Sequence, residues 1–138
     1  LGRRVVALID WVRRDDGLRA LPIGLFGAST GAAAALVAAA ARPGDVSAVV
    51  SRGGRPDLAG AALPAVTAPT LLIVGGFDTE VIALNEQAKA RMRASVSLAI
   101  VPGASHLFEE PGTLDAVAAR AGDWLVARLA PAPPAGGA

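Results

Sequence analysis

The sequence predicts an α/β fold: a parallel sheet of about four strands in sequential order, with helices on both faces. Three observations predict it. Short apolar runs alternate with segments of helical period, the pattern of repeated strand–helix units. The run Ile23–Gly27 is continuously apolar between Pro22 and Ser29, as a strand buried on both faces is. The composition is 53% hydrophobic but only 4% aromatic, so the core must be built from Ala, Val and Leu, which suits helices packed closely on a sheet. At 138 residues there is enough chain for one domain.

In chain order, an amphipathic helix covers about Gly2 to Arg14 and reads as lying at the edge of something larger. The Ile23–Gly27 strand follows, then an Ala-rich helix from about Thr30 to Ala41, stopped by Pro43-Gly44. Val46–Val50 is the second strand, ending in a loop over Ser51–Pro56. Thr70–Val74 is the third and clearest strand, closed by Gly75-Gly76. The next helix, roughly Glu80 to Arg93, puts Val81, Leu84, Ala88 and Met92 on one face. Val96–Val101 alternates apolar positions as a fourth strand and ends at Pro102-Gly103. Leu114, Val117, Ala118, Ala121, Trp124, Leu125 and Leu129 then recur at helical spacing. Residues 1–130 form one domain in this reading. Pro131–Ala138 contains only Pro, Ala and Gly and is expected to be disordered or a linker.

Several function classes fall away. A net charge of +1 offers no electrostatic case for a nucleic-acid partner or an acidic membrane. Without Cys there are no disulfides or thiolate metal sites, and a single His argues against a His-based zinc site. No metal and no cofactor is expected. The apolar stretch Val5–Val12 is interrupted by Asp10 and is far shorter than the ~20 residues of a membrane span. Arg13-Arg14-Asp15-Asp16-Gly17 follows it where a signal peptide would have a small-residue cleavage site. A cytoplasmic protein with a small-molecule partner is the expectation.

Chemistry concentrates at three points. Gly27-Ala28-Ser29-Thr30-Gly31 follows a strand and opens a helix, the context of a nucleophile elbow. Small residues let the turn be sharp, push the Ser29 hydroxyl out at the carboxyl end of the strand and aim the Thr30 N–H toward a forming oxyanion. The same stretch also resembles the glycine-rich turn of short-chain dehydrogenases. Ala33 stands where those enzymes want Gly, however, and the chain has no Tyr to serve as their catalytic residue.

Asp78, just past the third strand, lies on the same carboxyl edge, where open α/β sheets place their sites. It reads equally as the N-cap of the helix that follows, and can do both. Asp57, after the second strand, is the second choice of acid. His106, the only His, follows the fourth strand on that edge. A serine hydroxyl needs a base to accept its proton, and the base needs a carboxylate to fix its tautomer. Ser29, Asp78 and His106 supply these parts. Arg52 and Arg55 flank Gly53-Gly54 and either clamp a substrate carboxylate or phosphate, or are solvated and pair with Asp57.

These stretches resemble the α/β-hydrolase superfamily and, within it, the dienelactone-hydrolase-like proteins. The resemblance rests on Ile23–Gly31, Val49–Leu58, Pro69–Gly76 and Gly103–Pro111, and so spans nearly the whole chain before the tail. It implies the chain order Ser, acid, His, hydrolysis of small carboxylic esters or lactones through an acyl-enzyme, and Ser29, Asp78 and His106 in the catalytic roles. Dienelactone hydrolases proper carry Cys at the elbow, so Ser29 favours ester-type chemistry. The four strands match the last part of the family's larger sheet, whose first half would carry the second oxyanion donor. Pairing with such a half, or with a second copy, is therefore expected. Relatives of this subgroup are sometimes joined to a phosphoribosyltransferase domain. The alternative function is a non-catalytic hydrolase-like remnant or interaction module.

Overall fold

The structure, a computed structural model, describes residues 1–130; the expectation of a disordered Pro131–Ala138 lies outside them. Four strands, β1 (Ile23–Ala28), β2 (Val46–Arg52), β3 (Thr70–Gly75) and β4 (Val96–Val101), pair in parallel in the order β1-β2-β3-β4. Helices α1 (Gly2–Arg14), α2 (Thr30–Ala41), α3 (Thr79–Arg91) and α4 (Thr113–Leu129) make up the other elements of the described residues, with a 3-10 segment over Pro56–Ala65. Parallel neighbours require crossovers, which α2, the 3-10 segment and α3 supply.

Side chains on a strand alternate between faces, and neighbouring valines divide the core. Val49 joins Ile9, Leu36, Leu63, Ala88 and Met92 on the face covered by α1, α2, the 3-10 segment and α3. Val50 joins Leu71, Ile73, Val101, Phe108, Val117 and Ala121 on the face covered by α4. The first face is closed mainly by alanines of α2, whose small size lets that helix approach the sheet. Two ion pairs fasten α1 to the end of α2 and the turn after it: Arg42 to Asp10 at 2.7 and 2.9 Å, and Arg13 to Asp45 at 2.7 Å. The second face has α4 alone, and Leu114 and Val126 on it remain exposed.

Several elements differ from the sequence reading; β1 and β3 each run one residue further, to Ala28 and Gly75. β2 runs on through Ser51 and Arg52, because they pair in register with Gly27 and Ala28 of β1 while Ser51 and Arg52 also meet Leu72 and Ile73 of β3. α3 ends at Arg91 rather than Arg93, since Met92 turns extended and buries its side chain. Pro56–Ala65 is a 3-10 segment broken at Gly60 (φ 54°), held down by Leu63 and Ala59 against α2. No helix among the described residues is long and apolar enough to cross a membrane.

β3 is buried at every position, whereas β1 lies at the sheet edge with Phe26 52% exposed. An apolar edge without a charge or proline inside it is a template for further pairing. The 138-residue chain should therefore self-associate at micromolar concentration, and Phe26→Lys should shift it toward monomer in light scattering. A monodisperse monomer for the unaltered chain would show that the β1 edge is not adhesive.

Candidate active site

Ser29 lies where β1 passes into α2, at φ 52° and ψ −126°. That region is strained for a residue with a side chain, so its surroundings must hold it there. The Ser29 N–H donates to the Arg52 carbonyl (3.4 Å), and the Ser29 carbonyl accepts from Ala32 N–H (3.2 Å) and Arg55 N–H (3.0 Å). Two of these three bonds come from the exit of β2. The Ser51–Pro56 stretch thus braces the elbow with its backbone. Gly27 makes room for the turn, since a Cβ there would lie 2.5 Å from the Gly31 carbonyl oxygen and 2.7 Å from Ala32 Cα. Ser29 and Thr30 are both exposed. The Thr30 N–H is one of the first-turn donors that a helix leaves without an intrahelical partner, at the end where the dipole favours an anion.

Asp78 stands at the N-cap position of α3, and its carbonyl accepts the Ile82 N–H at 2.9 Å. Its side chain makes no capping bond. Instead Oδ2 lies 2.6 Å from Nδ1 of His106, a short hydrogen bond. Of the two readings left open by the sequence, the side chain follows the histidine. The Asp78 side chain is 16% exposed and that of His106 41%, so the acid is shielded while the ring can be reached. No hydrogen bond joins Ser29 and His106 among the described residues.

Asp57 is engaged elsewhere. Arg55 donates from Nε to Oδ1 (2.9 Å) and from Nη2 to Oδ2 (2.8 Å), and this pairing holds the Asp57 carboxyl below the usual carboxylate range. Arg55 is therefore paired with Asp57, whereas Arg52 has no carboxylate partner among the described residues. The Arg52 guanidinium carbon lies 5.6 Å from the centroid of the Phe108 ring. It also lines a cleft of about 510 Å³ with Phe26, Leu114, Val117 and Ala118.

Two contributors escaped the sequence reading. Asn85 is fully buried in α3 and donates from Nδ2 to the carbonyls of Gly54 (3.1 Å) and Val81 (2.7 Å), which ties α3 to the brace beside Ser29. A poor helix former inside a helix was the available signal. Glu110 accepts the Ser105 N–H on both carboxylate oxygens, at 2.7 and 3.0 Å.

The family model for the dienelactone hydrolase family matches residues 1–128. The chain belongs to the dienelactone hydrolase family. A solved dienelactone hydrolase from Anabaena variabilis is 57% identical, with a TM-score of 0.92 over 94% of this chain and 60% of its own. Two Mycobacterium tuberculosis proteins, whose names suggest a phosphoribosyl transferase, are 54% identical over 136 residues, which is 99% of this chain and 31% of theirs. The chain thus spans less than a third of those curated relatives. Est1E from Butyrivibrio proteoclasticus, 15% identical, shares the fold with a TM-score of 0.78 over 94% of this chain and 70% of its own.

The loop carrying His106 packs directly on Gly75, where a Cβ would collide with the Ala104 carbonyl oxygen and lie 2.6 Å from that of Ser105. Backbone cannot step aside cheaply. Gly75→Ala should cost about 1–3 kcal/mol of stability, as overpacking in a dense interior does. Urea unfolding measures it, and an unchanged midpoint would mean that the loop does not rest on the end of β3.

Proposed function

We propose that the chain is a serine hydrolase of small carboxylic esters or lactones, working through Ser29, His106 and Asp78 and an acyl-enzyme. One observation carries this reading. Ser29 and Asp78 both occupy helix N-cap positions with side chains of capping type, and neither side chain caps. A cap is typically worth ~1 kcal/mol. Leaving two unused has a reason if the side chains serve a reaction instead, and the 2.6 Å contact from Asp78 to His106 is such a use.

In this reading Asp78 holds the proton of His106 on Nδ1 and leaves Nε2 to accept the Ser29 proton. Ser29 Oγ attacks the ester carbonyl as His106 takes its proton, and the Thr30 N–H stabilises the oxyanion. His106 then protonates the departing alkoxide, which in a lactone stays tethered to the acyl group. Water, activated by the same ring, attacks the acyl-enzyme and releases Ser29. Arg52, without a carboxylate partner and beside an apolar cleft, contacts the substrate; Arg55 serves through its N–H to Ser29 rather than through its guanidinium. Serine at the turn favours an ester, and membership of the dienelactone hydrolase family a lactone. No cofactor enters these steps, and the site of action is the cytoplasm.

A second reading, a non-catalytic hydrolase-like module, draws on the absence of a Ser29–His106 hydrogen bond among the described residues. Catalytic bonds are often long in unliganded enzymes, which is why the hydrolase reading is preferred. A fluorophosphonate probe separates the two. It should label the folded chain and spare Ser29→Ala; equal labelling, or none, would remove Ser29 from the chemistry.

The assignment of the acid has its own check. Asp78→Asn should lower turnover of a p-nitrophenyl ester by about 10⁴-fold, as loss of the orienting acid does in serine proteases. His106→Ala should match Ser29→Ala, while Asp57→Asn should stay close to the unaltered chain. A damaging Asp57→Asn beside a mild Asp78→Asn would reverse the assignment.

A further inference from the structure

We propose that Glu110 is a positioning residue for His106, its carboxylate closing the loop that carries the ring. The inference rests on the hydrolase reading only for its effect on turnover. The loop begins after β4, and its first residues are pinned from below: Phe77 N–H donates to the Ala104 carbonyl at 3.0 Å, and Gly75 leaves no space beneath Ala104 and Ser105. Gly53 performs the same service from β2, where a Cβ would come within 3.1 Å of the His106 carbonyl oxygen and 3.6 Å of its ring carbon Cε1. From Ser105 onward the chain turns back sharply, with Phe108 N–H donating to the Ser105 carbonyl at 3.2 Å.

That turn is strained. Phe108 sits at φ 55°, a left-handed conformation that a residue with a large side chain rarely adopts. Burial of its ring, only 3% exposed, keeps the outgoing side of the turn in place. On the incoming side Ala104 is buried, but Ser105 and His106 beyond it are partly exposed. There Glu110 acts. Its two oxygens accept the Ser105 N–H, closing a ring of residues with His106 inside it.

Glu110 is itself fixed where α4 begins: its carbonyl accepts the Thr113 hydroxyl at 2.7 Å and the Thr113 N–H at 3.1 Å. Ser105, through its hydroxyl first and its N–H next, holds the Glu110 carboxyl below the usual carboxylate range, so the clamp is ionised at neutral pH. A bond from an anionic acceptor to a backbone N–H is among the stronger kinds available to a loop. Its release would let the His106 ring swing on the sheet edge and loosen its contact with Asp78.

His106 is the only histidine, so its ring gives one set of imidazole signals in nuclear magnetic resonance. The Nδ1 proton facing Asp78 should appear far downfield in the unaltered chain, broaden or vanish in Glu110→Ala, and persist with faster exchange in Glu110→Gln, which retains one acceptor. Glu109→Gln, at an exposed neighbour, should leave it unchanged. On a p-nitrophenyl ester, Glu110→Ala should lower kcat about tenfold while KM changes less than about twofold, because misplacing a base raises the barrier without weakening binding. Glu110→Gln should recover most of that loss. A Glu110→Ala chain with an unaltered ring proton and kcat overturns the proposal. Should that variant not fold, Glu110→Gln decides by the same readings. If the unaltered chain does not hydrolyse the ester, the hydrolase reading falls, and the ring proton alone judges Glu110.

Discussion

At Gly27, Gly54 and Gly75 a single methyl group would strike backbone or a buried side chain of another segment. All three lie at the carboxyl edge of the sheet, at or just beyond the ends of β1, β2 and β3. Gly27 admits the start of α2. Gly54 leaves space for the Ser51 hydroxyl and Ala32, and Gly75 admits the loop that follows β4. The edge is therefore a place where backbone packs on backbone, and the side chains that emerge from it have few ways to turn. Ser29, Asp78 and His106 are carried by the segments so constrained. A binding surface assembled from flexible loops would need other means to bring an acid within 2.6 Å of a histidine.

The constraint also explains how a strained turn survives. The left-handed conformation at Ser29 costs of order 1–3 kcal/mol. Hydrogen bonds to Arg52 and Arg55, with the burial of Ala32 behind the turn, offset that cost. Asn85 extends the brace one layer deeper, because its amide holds the carbonyl of Gly54 from α3. Thus α3 does two things at the edge: its N-terminus presents Asp78, and one helical face steadies the segment beside Ser29. A change in α3 packing would reach both. Phe108 repeats the theme at the opposite side of the site, with its strain opposed by burial of the ring.

Much of this was legible in the residues, for identifiable reasons. Short apolar runs located β1, β2 and β3 and alternation located β4; only β3 is buried throughout, while β1, read from its unbroken apolar run as buried on both faces, lies at the sheet edge with Phe26 exposed. The tight strand-to-helix turn at Ser29 was legible because Gly27 leaves room that any side chain would fill. The 3-10 segment was not: its only same-face apolar pair, Ala59 and Leu63, spans a single turn interrupted by Gly60, too little to mark an element before its packing against α2 is known. The end of β2 was misplaced because Ser51 and Arg52 are polar, and polarity says nothing about the register that draws them into the ladder. Asp78 posed a different difficulty. A capping aspartate and one that orients a histidine are the same residue at the same position, and only the direction of the carboxylate tells them apart. Glu109 and Glu110 are likewise indistinguishable in sequence, although one is exposed and the other holds Ser105.

The position of β1 has a consequence for the site. Among the described residues, the strand that presents Ser29 is paired on one side only, by β2. Every bond found to hold the elbow comes from that side or from α2: the register of Gly27 with Ser51 and Ala28 with Arg52, then the contacts of Ser29 with Arg52, Arg55 and Ala32. An edge strand with a half-exposed Phe26 and only α4 over its face has fewer restraints on twisting than an inner strand. Motion of β1 relative to β3 and β4 would change the distance from Ser29 to His106 while leaving the His106–Asp78 contact untouched, because those two residues ride on the β3–β4 side. Asp78 with His106 on one side, and Ser29 on the other, are in this sense separately positioned parts of the candidate site. A partner strand along β1 would restrain Ser29 relative to His106 without contacting either side chain.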